Sequence, residues 1–456
     1  MPKNTQPAGM AAFLVIWIGQ IVSILASGMS QFALTIWMYR QTHSATAMGL
    51  MIVAGSVPFL LVTPFAGVMV DRYSRKLMMM VSGLVAIIGT GGIFTLYALG
   101  HLQFWHFYVA AILGGLGSAF QYPAYTAAIA SMVTKQQLGR ANGLMSLMAS
   151  GPGLVSPLLA GALLPVIDLR GILAIDIITF FLAVGALALV HVPPPVHTAE
   201  GRQGQGHVLK EAAFGFRYIF SRPSLLGLQL VFTVGNLFGM ICVAVLAPML
   251  LARTNQNSLI YGTVESIGVG GAIAGGIIMS AWGGLKRRVQ GVLVGWVFYG
   301  FFAILLIGLK FGLPVWLAGL VLGNLASVFI DAHNDSIWQS KVAPDLQGRV
   351  YSARILIAWI ANPIAPIIGG TLSDYVLEPA MRANGWLPYT FAWLVGRGPG
   401  SGMGLLIVFC GVMIGLTALT GYCIPAIRNV EDLLKDQGQV TDTVLAMENS
   451  FGDIVK

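Results

Sequence analysis

Charge is what this chain lacks. Only 9% of its 456 residues are Asp, Glu, Lys or Arg, against roughly 25% in a soluble domain. So few charges cannot solvate the surface of a globular fold of this length. None of the nine lysines follows a glycine, which excludes the phosphate-cradling Gly-x-x-x-x-Gly-Lys-Ser/Thr loop and with it ATP-driven pumping by this chain. Cysteine is equally scarce. Cys242, Cys410 and Cys423 fall in apolar runs without ligand spacing, so neither a disulfide framework nor a zinc site is expected. The seven histidines are scattered, and neither His-Glu-x-x-His nor Gly-x-Ser-x-Gly occurs. No enzyme, metal or cofactor is therefore expected. The formal charge of +8 is spread along the chain, which argues against a nucleic-acid partner.

What the chain has is grease. Hydrophobic residues make up 56% of it, in runs long enough for helices crossing a bilayer core of about 30 Å. Backbone groups in lipid must be satisfied within their own segment, so such runs imply helices. The short alternating segments of an outer-membrane barrel are absent. The runs predict twelve helices, near 11–39, 47–70, 77–99, 104–133, 141–166, 172–192, 224–251, 261–283, 289–309, 313–340, 352–376 and 401–424. The first lacks a basic leader followed by a small-residue cleavage site, so it is expected to remain as a span.

Charge placement tests that topology. With alternate loops on opposite sides, 19 of the 25 Lys and Arg residues share the side of both tails. Arg40, Arg170, Arg253, Lys310, Arg382 and Arg397 are the remainder. Cytoplasmic loops concentrate Lys and Arg, so both termini are expected in the cytoplasm. A missed or invented helix would scramble this asymmetry.

One connection is unusually dense in charge. Between the second and third spans the chain reads Gly67-Val-Met-Val-Asp71-Arg72-Tyr-Ser-Arg75-Lys76. At an offset of 209 residues the chain also repeats itself. Gly139-Arg140 meets Gly348-Arg349, Gln20 meets Gln229 and Ser118 meets Ser327. The second copy of the charged connection is degraded to Gly283-Gly284-Leu285-Lys286-Arg287-Arg288, without an aspartate. These features predict two six-helix halves, 1–192 and 223–424, joined by a cytoplasmic linker 193–222 and followed by a cytoplasmic tail 425–456.

The charged connection resembles the loop between helices 2 and 3 of the major facilitator superfamily. The resemblance implies an all-α integral membrane fold of two pseudo-symmetric bundles and a transporter working by alternating access. It also implies a latch. Asp71 would cap the start of helix 11, and Arg72 and Arg75 would pair nearby acids, with Gly67 and Lys76 completing the motif. Gly19-Gln20-x-x-Ser23, Arg140-Ala-Asn142-Gly143, Asp176 and Gly348-Arg349 are similar to the branch of macrolide and enterobactin exporters. That branch implies proton-driven export of a bulky amphiphile such as a drug, macrolide or siderophore. Gly151-Pro152-Gly153 resembles the antiporter motif of drug exporters, with altered spacing.

In members of this superfamily helices 1, 4, 7 and 10 face the central cavity. Here each carries polar residues at helical spacing, which puts them on one face. The candidates for a substrate cavity are Gln20, Ser27 and Gln31; Gln121, Tyr122 and Tyr125; Gln229, Thr233 and Asn236; and Asn324 and Ser327. Interhelical hydrogen bonding is the plain alternative for any one of them. A carboxylate at mid-membrane costs roughly 2.5–3.5 kcal/mol on insertion scales, so each needs a reason. Glu265, Asp331, Asp335 and Asp176 are the proton-handling candidates. A helix-start anion favoured by the dipole is the simpler reading of Asp176, and Asp335 has a wet cytoplasmic position as its alternative. His333 reads as a satisfied polar residue. No Lys or Arg falls mid-span in this reading.

Two stretches stay open. The end of the linker, with Phe214, Tyr218, Ile219 and Phe220 among basic residues, reads as an inner-surface helix or as a tether. The outer loop 377–400, with Trp386, Tyr389, Phe391 and Trp393, covers the cavity mouth or anchors at the interface. Proton-coupled uptake and lipid or lysolipid flipping are the alternatives to export, with a non-transporting receptor or scaffold further off. The expected partners are a small molecule, protons and the bilayer. The expected state is a monomer in the bacterial cytoplasmic membrane.

Overall fold

The computed structural model describes residues 9–72, 74–132, 137–190, 215–342, 346–382 and 385–434. These are helical, with no strand among them. The amino-terminal half runs α1 (Gly9–Thr42), α2 (Ala45–Arg72), α3 (Arg75–Ala98) and α4 (Trp105–Met132). The helical stretch Leu138–Leu189 is two helices, because Asp168 takes φ 55° and ψ 178° inside it. A left-handed non-glycine residue breaks the hydrogen-bond ladder, giving α5 (138–167) and α6 (169–189). The Tyr97 hydroxyl donates to Asp168 at 2.5 Å and ties this corner to the end of α3.

The carboxy-terminal half follows with α7 (Pro223–Arg253), α8 (Ser258–Trp282), α9 (Arg288–Gly308), α10 (Leu313–Lys341), α11 and α12 (Ser401–Cys423). Helix α11 is segmented: Gln347–Trp359, Ala361–Thr371, a wide π-turn Leu372–Leu377 and Glu378–Arg382. Ten helical stretches among the described residues are long and apolar enough to cross a membrane. One of those ten contains the α5–α6 corner, and α4 supplies another crossing, so the described helices make twelve. Their bounds fall within a few residues of the apolar runs. An even number of crossings puts both ends on one side, and the cation asymmetry makes that side the cytoplasm.

Helix ends follow local chemistry. Ser74 caps α3, its hydroxyl accepting from the Leu77 amide at 3.1 Å. The Asn257 side chain does the same for the Ile260 amide in α8. Gly312 turns at φ 85° to start α10, where L residues are strained and glycine is not. Lys76 donates to the Ala188 and Val190 carbonyls at 2.8 and 2.9 Å, placing a cation at the inner end of α6.

Contacts group the chain into two compact units. The first holds α1–α6 with Val243–Val269 and Asn362–Gly404, the outer ends of α7, α8, α11 and α12. The second holds α9 and α10 with the remaining parts of those four helices.

Within the first unit the outer helix ends meet closely. Gly262 of α8 lies so near Pro157 of α5 that a Cβ there would stand 2.2 Å from its carbonyl oxygen. Phe32 of α1 stacks on Tyr261 at 4.7 Å, and Ser258 donates to the Gly161 carbonyl at 3.0 Å. Asp374, in the α11 π-turn, closes the start of α2. Its carboxylate accepts from the Ser44 hydroxyl at 2.6 Å and from the Ala45 and Thr46 amides at 3.0 and 2.8 Å. Glu378, only 8% exposed, does the same for α12, accepting from the Gly400 and Gly402 amides at 2.7 and 2.9 Å.

Within the second unit the tail begins by docking. Val430 and Ile427 are buried, Arg287 pairs with Asp432 at 2.9 Å, and Lys341 donates to the Glu431 carbonyl at 2.7 Å. The sequence reads as polar from Pro425 onward, but the apolar residues of 425–434 bury themselves against the inner loops.

The Asp374 cap is testable. Asp374→Ala strands three donors at the start of α2, and a lost helix cap of this kind costs about 1–2 kcal/mol. A lower midpoint of thermal unfolding in detergent is expected; an unchanged midpoint contradicts the cap.

Candidate functional site

The polar residues of α1 and α4 come together. Gln20, Ser23, Ser27, Ser30 and Gln31 of α1 share one cavity of about 640 Å³ with Ser118 and Gln121 of α4. Gln121 donates to Gln20 at 3.4 Å. Asp176 of α6 lies in the same cavity, only 2% exposed, and accepts from Ser27 at 2.7 Å. Tyr125 is instead buried in the apolar core with Met79, Met132 and Met148, its hydroxyl unpartnered. The side chains of Tyr122, Asp71, Arg72 and Arg75 lie outside the described residues, as do the surroundings of Gly67.

The polar residues of α7 and α10 serve their own unit. Gln229 is buried and donates to the Arg354 carbonyl at 3.3 Å and to Thr233 at 3.4 Å. Asn324 and Ser327 are half-buried and bond to backbone carbonyls of α10. Asn236 is half-buried on α7.

The second unit's carboxylates lie near an arginine that the sequence reading counted with the cytoplasmic-side cations. Arg354 lies in the first segment of α11, 8% exposed, and its guanidinium donates to Asp335 at 2.6 Å. The rings of Phe232, Trp338 and Tyr351 stand 5.8, 5.4 and 5.4 Å from it. An aromatic enclosure attracts a cation by about 0.5–2 kcal/mol, while the Asp335 side chain stays half exposed. Asp331 precedes Asp335 by one turn and lies in the field of Arg354. It is exposed, and makes no hydrogen bond or ion pair with a described residue. Two carboxylates and one guanidinium thus leave one negative charge without a fixed partner.

His333 between them has another task. Its Nε2 accepts from the Leu285 amide at 2.8 Å, and Nδ1 sits 2.7 Å from the Phe329 carbonyl. That pattern assigns a neutral ring with the proton on Nδ1. It pins the α8–α9 loop to α10. Glu265 is half-buried beside Tyr261 in the first unit, also without a hydrogen bond or ion pair to a described residue.

At the outer ends of the first unit lies a further cavity of about 830 Å³. Tyr39, His43, Gln256, Asp374, Glu378 and Arg382 line it. His43 and Gln256 face each other at 3.2 Å, and Arg382 pairs with Glu378 at 3.0 Å. The aromatics of the outer loop do not line it. Trp386, Tyr389 and Trp393 project from a short helix, Trp386–Val395, and are 69%, 79% and 67% exposed. Exposed Trp and Tyr of this kind are enriched at membrane–water interfaces.

Three functional residues escaped the sequence: Arg354, Asp374 and Glu378. A signal existed for the two acids. Carboxylates at a helix C-terminus oppose its dipole, so two of them one turn apart at the end of α11 had to serve other helices. Arg354 gave none, because the apolar run fixes the start of α11 only to within a turn.

The described residues hold no metal-ligand cluster and no nucleophile with an oriented base. They hold polar cavities and intramembrane charge, which suit passage rather than bond-making. Known proteins agree. Macrolide efflux protein A of Streptococcus pyogenes is 25% identical over 368 residues, 80% of this chain and 90% of that protein. The enterobactin exporter EntS of Citrobacter koseri is 26% identical over 319 residues, 68% and 72% of the two. The crystal structure of the nucleoside transporter NupG superposes with a TM-score of 0.62 at 12% identity, over 90% of this chain and 99% of that one; a likeness at that identity shows the fold alone. A profile of the Major Facilitator Superfamily matches residues 16–366, and the chain belongs to that superfamily: it is a multi-pass membrane transporter, not an enzyme.

Proposed function

We propose that this transporter exports a bulky amphiphilic small molecule from the cytoplasm in exchange for protons, as a monomer in the bacterial cytoplasmic membrane. The observation that carries the coupling is the Asp331–Asp335–Arg354 cluster. Arg354 neutralises Asp335, and a proton neutralises Asp331. Loss of that proton restores an unpartnered charge beside the Asp335–Arg354 pair, and its cost biases the helices toward the arrangement that solvates it best. The rocking unit is a bistable interface rather than a continuously deformable one. The macrolide and enterobactin relatives are exporters by name, which supports the direction and the class of cargo. Each proton crossing supplies about 2.3 kcal/mol per 100 mV, enough to drive cargo uphill.

The outer contacts supply the gate in this reading. Gly262 against Pro157 and Asp374 on the start of α2 hold the outer ends together, and must part for release. The charged connection Gly67–Lys76 supplies the opposing latch on the inner side, with Asp71, Arg72 and Arg75 as its working groups.

Purified protein in vesicles with an imposed pH gradient, offered macrolides, siderophores and lipids, tests the proposal. Cargo is expected to move against the proton flow. Cargo moving with the protons overturns export. Asp331→Asn is expected to slow gradient-driven transport by at least about tenfold, equivalent to about 1.4 kcal/mol of barrier, while protein yield stays normal. A pH dependence left unchanged removes Asp331 from the coupling. Gly262→Leu is expected to prop the outer ends apart. A cysteine at Ser258 should then react faster with a membrane-impermeant thiol reagent, and transport should fall. Unaltered labelling contradicts the gate.

A further inference from the structure

The Asp176 cavity poses a problem that the α10 cluster does not solve. Asp176 is nearly sealed from solvent, yet among the described residues no Lys, Arg or His lines its cavity, and it is the sole ionisable residue there. A buried carboxylate without a counter-charge is strongly disfavoured. In place of a cation the carboxylate has hydroxyls. Ser27 donates to it at 2.7 Å from α1. Ser30, one turn further along α1, and Thr90 of α3 face the same carboxylate. The Ser30 oxygen is buried beside the carboxylate but makes no well-formed hydrogen bond with a described residue.

We propose that Asp176, Ser27, Ser30 and Thr90 form a binding site for a monovalent metal cation, sodium, inside the amino-terminal bundle. One carboxylate carries one negative charge, which a single positive charge balances. Calcium sites recruit six to eight oxygens, commonly from several carboxylates, which this cavity does not offer. Hydroxyls can serve a protonated carboxyl too, since it donates one hydrogen and accepts others; only a metal cation makes stability depend on which salt is present. Each hydroxyl can turn its hydrogen away and offer a lone pair to a hard cation, and the Ser30 oxygen gains a partner. The site joins α1, α3 and α6, so filling it ties α1, with its row of polar groups, to the two helices behind it. A cation bound there therefore stabilises the packing of α1 along the cavity that also holds Gln20, Gln31 and Gln121. This proposal stands apart from proton coupling at α10.

The test is thermal unfolding of the purified full-length transporter at fixed pH in sodium, potassium or choline chloride at equal ionic strength. Sodium at saturation is expected to raise the midpoint by roughly 3–5 °C over choline, the mass-action effect of a ligand bound only by the folded state. Asp176→Asn should lose that increment, and Ser30→Ala should shift the sodium titration to several-fold higher concentration. Equal midpoints for wild-type protein in sodium and choline overturn the site whatever the variants do. So does a sodium increment that survives in Asp176→Asn, and so does a potassium increment equal to that of sodium. If Asp176→Asn does not fold, the wild-type and Ser30→Ala titrations decide the matter. Gradient-driven export that persists with no sodium response removes this site and leaves the export reading intact.

Discussion

Ionised groups do not belong in hydrocarbon, and the architecture of this protein answers that constraint. With so few charges in the whole chain, those within the helices stand out, and the described ones have specific surroundings. Asp335 takes the guanidinium of Arg354. Asp374 and Glu378 take the exposed amides at the starts of α2 and α12. Asp176 takes hydroxyls. Only Asp331 and Glu265 are left without a bonded partner among the described residues. A transporter needs such unfinished electrostatics, because a charge satisfied in every state has no reason to move.

The outer contacts show how helices are held together without a strong hydrophobic drive between them. Lipid is as apolar as the side chains, so association rests on close packing and hydrogen bonds. Glycine at 262 admits backbone contact with α5, and the acids of α11 are used as caps for neighbouring helices. These interactions are numerous, individually modest and short in range. That combination suits a gate, since a small separation breaks them together, and none is strong enough to fix one state permanently.

Much of this was legible in the sequence. The twelve helices follow from run length, their sidedness from cations, and the superfamily from the charged connection after α2. The α1 and α4 polar positions fall on one face because helical spacing puts them there, and Gln20, Ser27, Gln31 and Gln121 do share a cavity. What could not be read depends on distance in space. Arg354 looked like one more cytoplasmic-side cation at the start of a helix, while its burial is set by Phe232, Trp338 and Tyr351 from three helices. The role of Asp374 depends on the start of α2, more than three hundred residues earlier. The corner at Asp168 needs a left-handed residue, and nothing in its neighbours announces one.

The central claim is that proton binding at Asp331 shifts a two-state equilibrium in which the outer helix ends part. Pulsed electron–electron distance measurement tests it most directly, with spin labels at positions 40 and 255 in protein whose three native cysteines are serine. The account predicts two distance populations, the shorter matching this structure, whose ratio changes between mildly acidic and mildly alkaline buffer. It predicts also that Asp331→Asn abolishes the change. A single short distance at every pH, or an unaltered pH response in Asp331→Asn, would contradict it.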